Sequence, residues 1–274
     1  MKILVTGATG NIGRKLVDHL LAKGASDVRA LTNDPNRAAL PAEVEVVTGY
    51  LRKIETVPAA LDGVDRMYLA PTPDTVGEVV ALARQAGVRH IVDLSGEPAS
   101  WWGSVAEAVE VCGIGWTHLW PWDFMENTTS WAQQIRATGA VREPYPRSAS
   151  APIAMEDIAT VAATVLLEDT HAGHAYTLTG PETLTRVELV RQLGDALGRH
   201  LTFIEVSRDE AVDVFAASIG GNAGWYVDNV LAGFDEQPVT ATRTVEEITG
   251  RAATTFAQWA RDHADQFRGS TNAR

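Results

Sequence analysis

The sequence predicts an α/β fold: a doubly wound parallel sheet with helices on both faces, and a smaller, mostly helical C-terminal part. Three observations predict it. Strand-like and helix-like patterns alternate through the first 120 residues. A glycine-rich turn joins the first strand to the first helix. Beyond that half the alternation fades, while long apolar helical patterns persist.

The elements follow in order. "KILVT" is a continuous apolar run, the kind of strand a parallel sheet buries on both faces. Over 11–23, Ile12, Leu16, Val17, Leu20 and Leu21 line one helical face, and Gly24 supplies the stop. "DVRAL" and "VEVVTG" predict the second and third strands, and a short helix over 54–61 leads to "DRMYLA". A helix over 75–86 stops at Gly87 before "RHIVDLS", and one over 104–112 precedes "GWTHLW". Such a β-α-β-α order needs crossover connections, and so a parallel sheet.

Later, "MEDIATVAATVLLED" is apolar nearly all round and reads as a buried helix, and "AYTLTG" reads as a strand. Thr185 and Glu188 form a capping box for a helix that ends near Gly198. "SIGGNAG" at 218–224 reads as a mobile segment, and a final helix runs through "TTFAQWARDHADQF". The expected division is a nucleotide-binding core over 1–120 and 153–180, a substrate-covering part over 121–152 and 181–267, and a disordered tail over 268–274.

Bulk properties narrow the function classes. A chain of 274 residues with 45% hydrophobic content can bury a sizeable core. Its net charge of −12 argues against nucleic acid or an anionic membrane as partner. Cys112, the one cysteine, excludes an internal disulfide, fits a reducing compartment and is expected to be a small buried thiol. No apolar run reaches the roughly 18–20 residues of a membrane span. The chain opens on a strand rather than a signal peptide, so a cytoplasmic location is expected.

The loop "TGATGNIG" places glycines at Gly7, Gly10 and Gly13, between a strand and an amphipathic helix. Backbone amides there can approach a diphosphate at the positive end of the helix. Gly7 suits the tight turn, Gly10 the close approach, and Gly13 the packing of helix on strand. The expected cofactor set is Gly7, Thr9, Gly10, Asn11, Ile12 and Gly13 on this loop. Asn33, Asp34 and Arg37 follow the second strand, and Ala70 and Pro71 the fourth.

With "ALTNDPNRAAL", "VEVVTGYL", "GVRHIVDLS", "GIGWTHLWPWDFMENTT", "MEDIATVAATVLLED", "YTLTGPETLT" and "TVEEITGRAATTFAQWARDHADQF" in the same order, the chain resembles the NmrA-like atypical short-chain dehydrogenases. The resemblance covers about residues 1–267. It implies a Rossmann-type core and NADP or NAD as cofactor. The family includes quinone and triphenylmethane-dye reductases as well as redox-sensing regulators. This chain departs from the family pattern at the adenosine end. Asn33 stands where the family has an arginine for the 2′-phosphate, Asp34 has the spacing of a ribose-binding acid or serves as a turn residue, and Arg37 keeps the basic position. Tyr50 replaces an aspartate at the adenine edge, so the preference between NADP and NAD stays open.

No tyrosine among 50, 68, 145, 176 and 226 is followed by a lysine four residues on, so the Tyr-x-x-x-Lys acid-base pair of ordinary short-chain dehydrogenases is absent. Ser95, at the end of the fifth strand, is the catalytic candidate; its alternative is a turn serine. His118 reads as a core or sheet residue, and His171 with His174 lacks a third ligand, so no metal is expected. Six of the eight tryptophans lie between 101 and 131, and Trp120 replaces the arginine of the family's "L-R-P". Trp101, Trp102, Trp122 and Phe124 are the substrate-binding candidates, since a flat aromatic ring stacks on such side chains with roughly 0.5–1.5 kcal/mol per pair. Alternatively they plug the pocket or form a homodimer contact.

The expected activity is NAD(P)H-dependent reduction of an apolar, aromatic carbonyl or quinone-like small molecule. Two alternatives stand beside it: a non-catalytic NAD(P)-sensing regulator, and a non-redox enzyme using Asp123, Glu126 or Glu97 as acid and base.

Overall fold

The computed structural model describes residues 1–100 and 102–268, without the side chain of Ser218; Trp101 and residues 269–274 lie outside the described residues. The chain forms two compact units. The first comprises Met1–Pro121, Met155–Leu178 and Thr244–Arg251, and the second Trp122–Ala154, Thr179–Arg243 and Ala252–Arg274.

The first unit begins with β1 (Ile3–Val5), α1 (Asn11–Ala22), β2 (Val28–Thr32) and β3 (Glu45–Thr48). It continues through α2 (Val57–Leu61), β4 (Arg66–Leu69), α3 (Val76–Gln85), β5 (His90–Leu94), α4 (Gly103–Val111) and β6 (Gly115–Pro121). After the second unit intervenes, α6 (Met155–Leu167), β9 (His174–Leu178) and α11 (Thr244–Thr249) return to it. The sequence groups this last helix with the smaller part, but it packs against α6 and β9. The seven strands pair in parallel in the order β3-β2-β1-β4-β5-β6-β9. Strand order therefore reverses between β1 and β4, where α/β sheets of this kind bind ligands.

Central strands β1, β2 and β5 are buried along their whole length, β1 as an apolar run and the other two with Arg29, Thr32, His90 and Asp93 buried among their apolar residues. One face of the sheet meets α2, α3 and α4 in a core that includes Leu4, Met67, Val79, Ile91 and Val109. Helix α6 is buried from Asp157 to Leu166, the outcome its apolar circumference implies. Cys112 is buried. Among the described residues, no helix is long and apolar enough to cross a membrane.

The second unit contains α5 (Ala132–Thr138), β7 (Ala140–Glu143), β8 (Ala149–Ser150), β10 (Leu184–Thr185), α7 (Arg186–Leu197) and β11 (Thr202–Glu205). α8 (Arg208–Ile219), α9 (Ala223–Trp225), α10 (Ala232–Glu236) and α12 (Phe256–Asp262) complete it. Thr185 and Glu188 form both bonds of the capping box that opens α7, and Gly198 closes the helix at φ 68°. Within the segment read as mobile, Gly220–Asn222 makes a 3-10 turn into α9, followed by a π-helical turn over Tyr226–Leu231. The final helix stops at Asp262, and a 3-10 turn over Ala264–Phe267 buries Phe267. The strands β7, β8, β10 and β11 pair two by two, and all four escaped the sequence because each is short and carries no clear alternation.

Candidate functional site

The end of β1 is tied to the end of β4 by one side chain. The Thr6 hydroxyl donates to the Tyr68 carbonyl at 2.9 Å and accepts from the Ala70 amide at 2.8 Å. This brings Ala70 and Pro71 beside Gly7, at the point where strand order reverses. Gly7 sits at φ +61°, and a Cβ there would lie 3.0 Å from that of Ala70. The Gly10 amide closes the turn on the Gly7 carbonyl at 2.9 Å.

α1 starts one residue later with no side-chain cap and no acid in its first turn. Its first amides have no carbonyl a turn earlier to bond, and they add to the positive end of the helix dipole. An anion is the natural partner for such an end. A Cβ on Gly13 would fall 2.1 Å from the Gly7 carbonyl oxygen, so only glycine lets α1 dock on the loop. The donor set and the bare backbone of this cradle fit a dinucleotide diphosphate.

Beside it opens a cleft of about 260 Å³ contained in the first unit. Gly7 and Thr9 line it from the glycine loop, Asn33 from the end of β2, and Ala70, Pro71 and Thr72 from the end of β4. The segment after β3 adds Tyr50, Leu51 and Arg52. Of the expected cofactor residues, the structure thus brings Gly7, Thr9, Asn33, Ala70 and Pro71 to one cleft. Gly10 and Asn11 lie on the exposed shoulder of the turn, while Ile12 and Gly13 are buried behind it.

Asp34 and Arg37 do not line the cleft. They belong to a 3-10 turn over Pro35–Arg37, and the Asp34 amide donates to Thr32 Oγ1 at 3.3 Å. That bond uses the Asp34 backbone, and the Asp34 side chain makes no cap to the turn. Arg52 is a lining residue that sequence reasoning missed. The basic pair Arg52-Lys53 follows Leu51 shortly after the third strand, but nothing local marks it as facing the cleft.

Ser95 follows β5 and is buried. Its amide donates to the Leu119 carbonyl at 3.1 Å, and its hydroxyl oxygen accepts from the Trp120 indole at 3.2 Å. The hydroxyl proton stays available for a second partner. His118 is fully buried and bonds Asp93 at 2.6 Å, between the stacked rings of Trp116 and Trp120. It is part of the sheet face, as its place inside a strand implies.

The tryptophan cluster divides. Trp131 is fully buried, Trp116 packs against the first unit's core, and Trp120 is engaged by Ser95. Trp102 caps α4 in the first unit and is 41% exposed. Trp122, 44% exposed, lies in the second unit 6.3 Å from the Phe234 ring. Phe124, half-buried, pairs with Ile153 in the same unit. Trp101 lies outside the described residues.

The carboxylates considered for a non-redox reaction in the second unit are engaged. Asp123 is buried and accepts from Ser150 at 2.7 Å and Asn127 at 2.9 Å, and Glu126 accepts from the Trp259 indole at 3.3 Å. Among the described residues, no group of three or more His, Cys, Asp or Glu side chains could hold a metal ion.

A parallel sheet with this strand order, and an uncapped glycine cradle at its point of reversal, define a Rossmann-type dinucleotide-binding protein. The chain belongs to the NAD(P)H-binding family, whose model matches residues 7–169. It is 36% identical to the (4-alkanoyl-5-oxo-2,5-dihydrofuran-3-yl)methyl phosphate reductase of Streptomyces griseus, over 97% of this chain and 99% of that one. It is 32% identical to the NAD(P)H azoreductase of Xenophilus azovorans, again over 97% and 99% of the two chains. The triphenylmethane reductase of Citrobacter sp. shares the fold, with a TM-score of 0.86 at 23% identity over 96% and 99% of the chains.

Proposed function

We propose that this chain is an NAD(P)H-dependent reductase of an apolar, conjugated small molecule: an aromatic carbonyl, a quinone or an azo compound. The observation that carries it is the glycine cradle of Gly7, Gly10 and Gly13 opening on a cleft at the β1/β4 reversal. Two relatives of nearly equal length, both named as reductases, support the redox assignment. When bound, the nicotinamide supplies a hydride. The loop amides hold the diphosphate, and Ala70 and Pro71 bound the cleft; Ser95, buried and outside the cleft wall, is the candidate to orient an acceptor oxygen or pass it a proton. Trp102 offers flat surface for an aromatic acceptor in the first unit, and Trp122 with Phe124 offers such surface in the second. The single cysteine suits a reducing compartment, and we place the protein in the cytosol.

Purified protein incubated with NADPH or NADH and menadione, a phenanthrene quinone or a naphthol azo dye tests the proposal. Nucleotide oxidation that depends on both protein and acceptor is expected. Tight nucleotide binding with no acceptor consumed across such a panel would leave a binding protein rather than a reductase.

A further inference from the structure

The cleft carries one cation and no carboxylate, in a chain of net charge −12. That cation is Arg52, and the loop that bears it is tightly held. The Tyr50 amide donates to Thr56 Oγ1 at 2.9 Å, and the Lys53 amide closes the turn on the Tyr50 carbonyl at 2.8 Å. Leu51 is buried in the core beneath, and its carbonyl accepts from Thr75 Oγ1 at 3.0 Å. The backbone of Arg52 is thus fixed at the cleft wall while its side chain remains 59% exposed. Among the described residues its one ionic neighbour is Asp74, 3.8 Å away and 70% exposed, a loose pair of the kind worth little in water.

Sites that select NADH place an acid on the ribose 2′-hydroxyl, and that acid repels a 2′-phosphate. Here the acid with the right sequence spacing, Asp34, lies outside the cleft wall, on the turn that leads into Pro35. Arg37, the basic residue after the second strand, is exposed on its 3-10 turn and outside the wall as well. We infer that Arg52 makes this site selective for the 2′-phosphorylated dinucleotide, NADPH over NADH. A guanidinium can pair two phosphate oxygens at once, and a dianionic phosphate outcompetes the single, loosely held carboxylate of Asp74. The inference rests on the dinucleotide reading of the cleft given above.

Calorimetric titration of the intact protein with each nucleotide tests it without relying on turnover. Wild type is expected to bind NADPH about tenfold or more tighter than NADH. Arg52→Ala should weaken NADPH by about tenfold and move NADH less than about twofold. Arg52→Glu, which supplies the missing acid, should reverse the preference. Arg37→Ala should leave both affinities level, and the NADPH advantage should shrink as salt rises. Equal wild-type affinities for the two nucleotides would overturn the inference and leave the dinucleotide site standing. So would an Arg52→Ala loss shared equally by both, or an Arg37→Ala loss matching it. If neither nucleotide binds wild type, the dinucleotide reading falls and this inference falls with it.

Discussion

Gly13 lies against the Gly7 carbonyl so closely that a methyl group on it would sit 2.1 Å from the oxygen. The contact joins the first turn of α1 to the loop after β1, and backbone is the obstacle, so no rotamer can relieve it. Gly13→Ala should therefore cost about 3 kcal/mol or more, seen as an earlier urea midpoint. Gly10 differs: it sits at an ordinary φ of −81°, and its Cβ would lie 3.2 Å from the same oxygen. Gly10→Ala should fold with a nearly unchanged midpoint and lose nucleotide affinity. Equal destabilisation by the two substitutions would remove the distinction between a packing glycine and an approach glycine.

Ser95 accepts from Trp120 and keeps its proton free. Ser95→Ala should lower kcat by roughly 10- to 100-fold, in the range of a lost proton-transfer or orienting group, with the Kd for nucleotide unchanged. Trp120→Phe removes the indole donor and leaves the hydroxyl; it should cost much less. Similar losses from both would assign the pair to local structure alone.

In the second unit, Arg186 makes two bonds of 2.8 Å to Glu143, lies 4.6 Å above the Trp131 ring, and is buried with its partner. The Trp131 indole also donates to Glu143. Glu143→Gln would leave a buried guanidinium without its hydrogen-bonded counter-charge, with Asp123 the remaining carboxylate acting on it, and should cost about 3 kcal/mol in denaturant titration. A loss below about 1 kcal/mol would mean that water reaches the site in solution.

His90 is buried on β5, where its Nε2 lies 2.9 Å from Thr117 Oγ1. Since that hydroxyl donates to the His171 carbonyl, the His90 ring must be the donor to Thr117. Burial, reinforced by Arg66, lowers its pKa to about 4 from 6.5. The folded chain therefore keeps the ring neutral where the unfolded chain takes up a proton. Its contribution is complete above about pH 6.5 and fades as pH falls towards 4, by on the order of 2–3 kcal/mol. His90→Gln should flatten this acid limb in thermal melts across that window; an unchanged slope would place the acid sensitivity elsewhere.

Trp122 presents its ring to solvent beside Phe234, so removing it creates no core cavity. Trp122→Ala should raise the KM for an aromatic acceptor by roughly 5- to 20-fold, as for a lost stacking surface, with little change in Tm. A change in sedimenting mass at constant KM would instead assign the ring to a contact between copies of the chain.

The sequence by itself determined the first unit's fold. A run such as Ile3–Val5 is apolar enough to demand burial on both faces, and α1 carries one apolar stripe. It also determined the glycine cradle, because a turn at φ +61° and a Cβ-free contact are properties of residue type at fixed spacing. The capping box of Thr185 and Glu188 was legible for the same local reason.

What only the tertiary structure decided depends on residues far apart in the chain. Asp34 and Arg52 are both charged residues following strands, and nothing local says which of them faces the cleft. The turn at Pro35–Arg37 carries the first away, and the Thr56 and Thr75 hydroxyls fix the second in place. The six clustered tryptophans are near one another in sequence, yet burial separates Trp131 from Trp122, because the side chain's surroundings come from Glu143 and Arg186 for one and from Phe234 for the other. Spacing along a chain fixes backbone conformation within a few residues; exposure, charge environment and partner are set by segments that only the fold brings together.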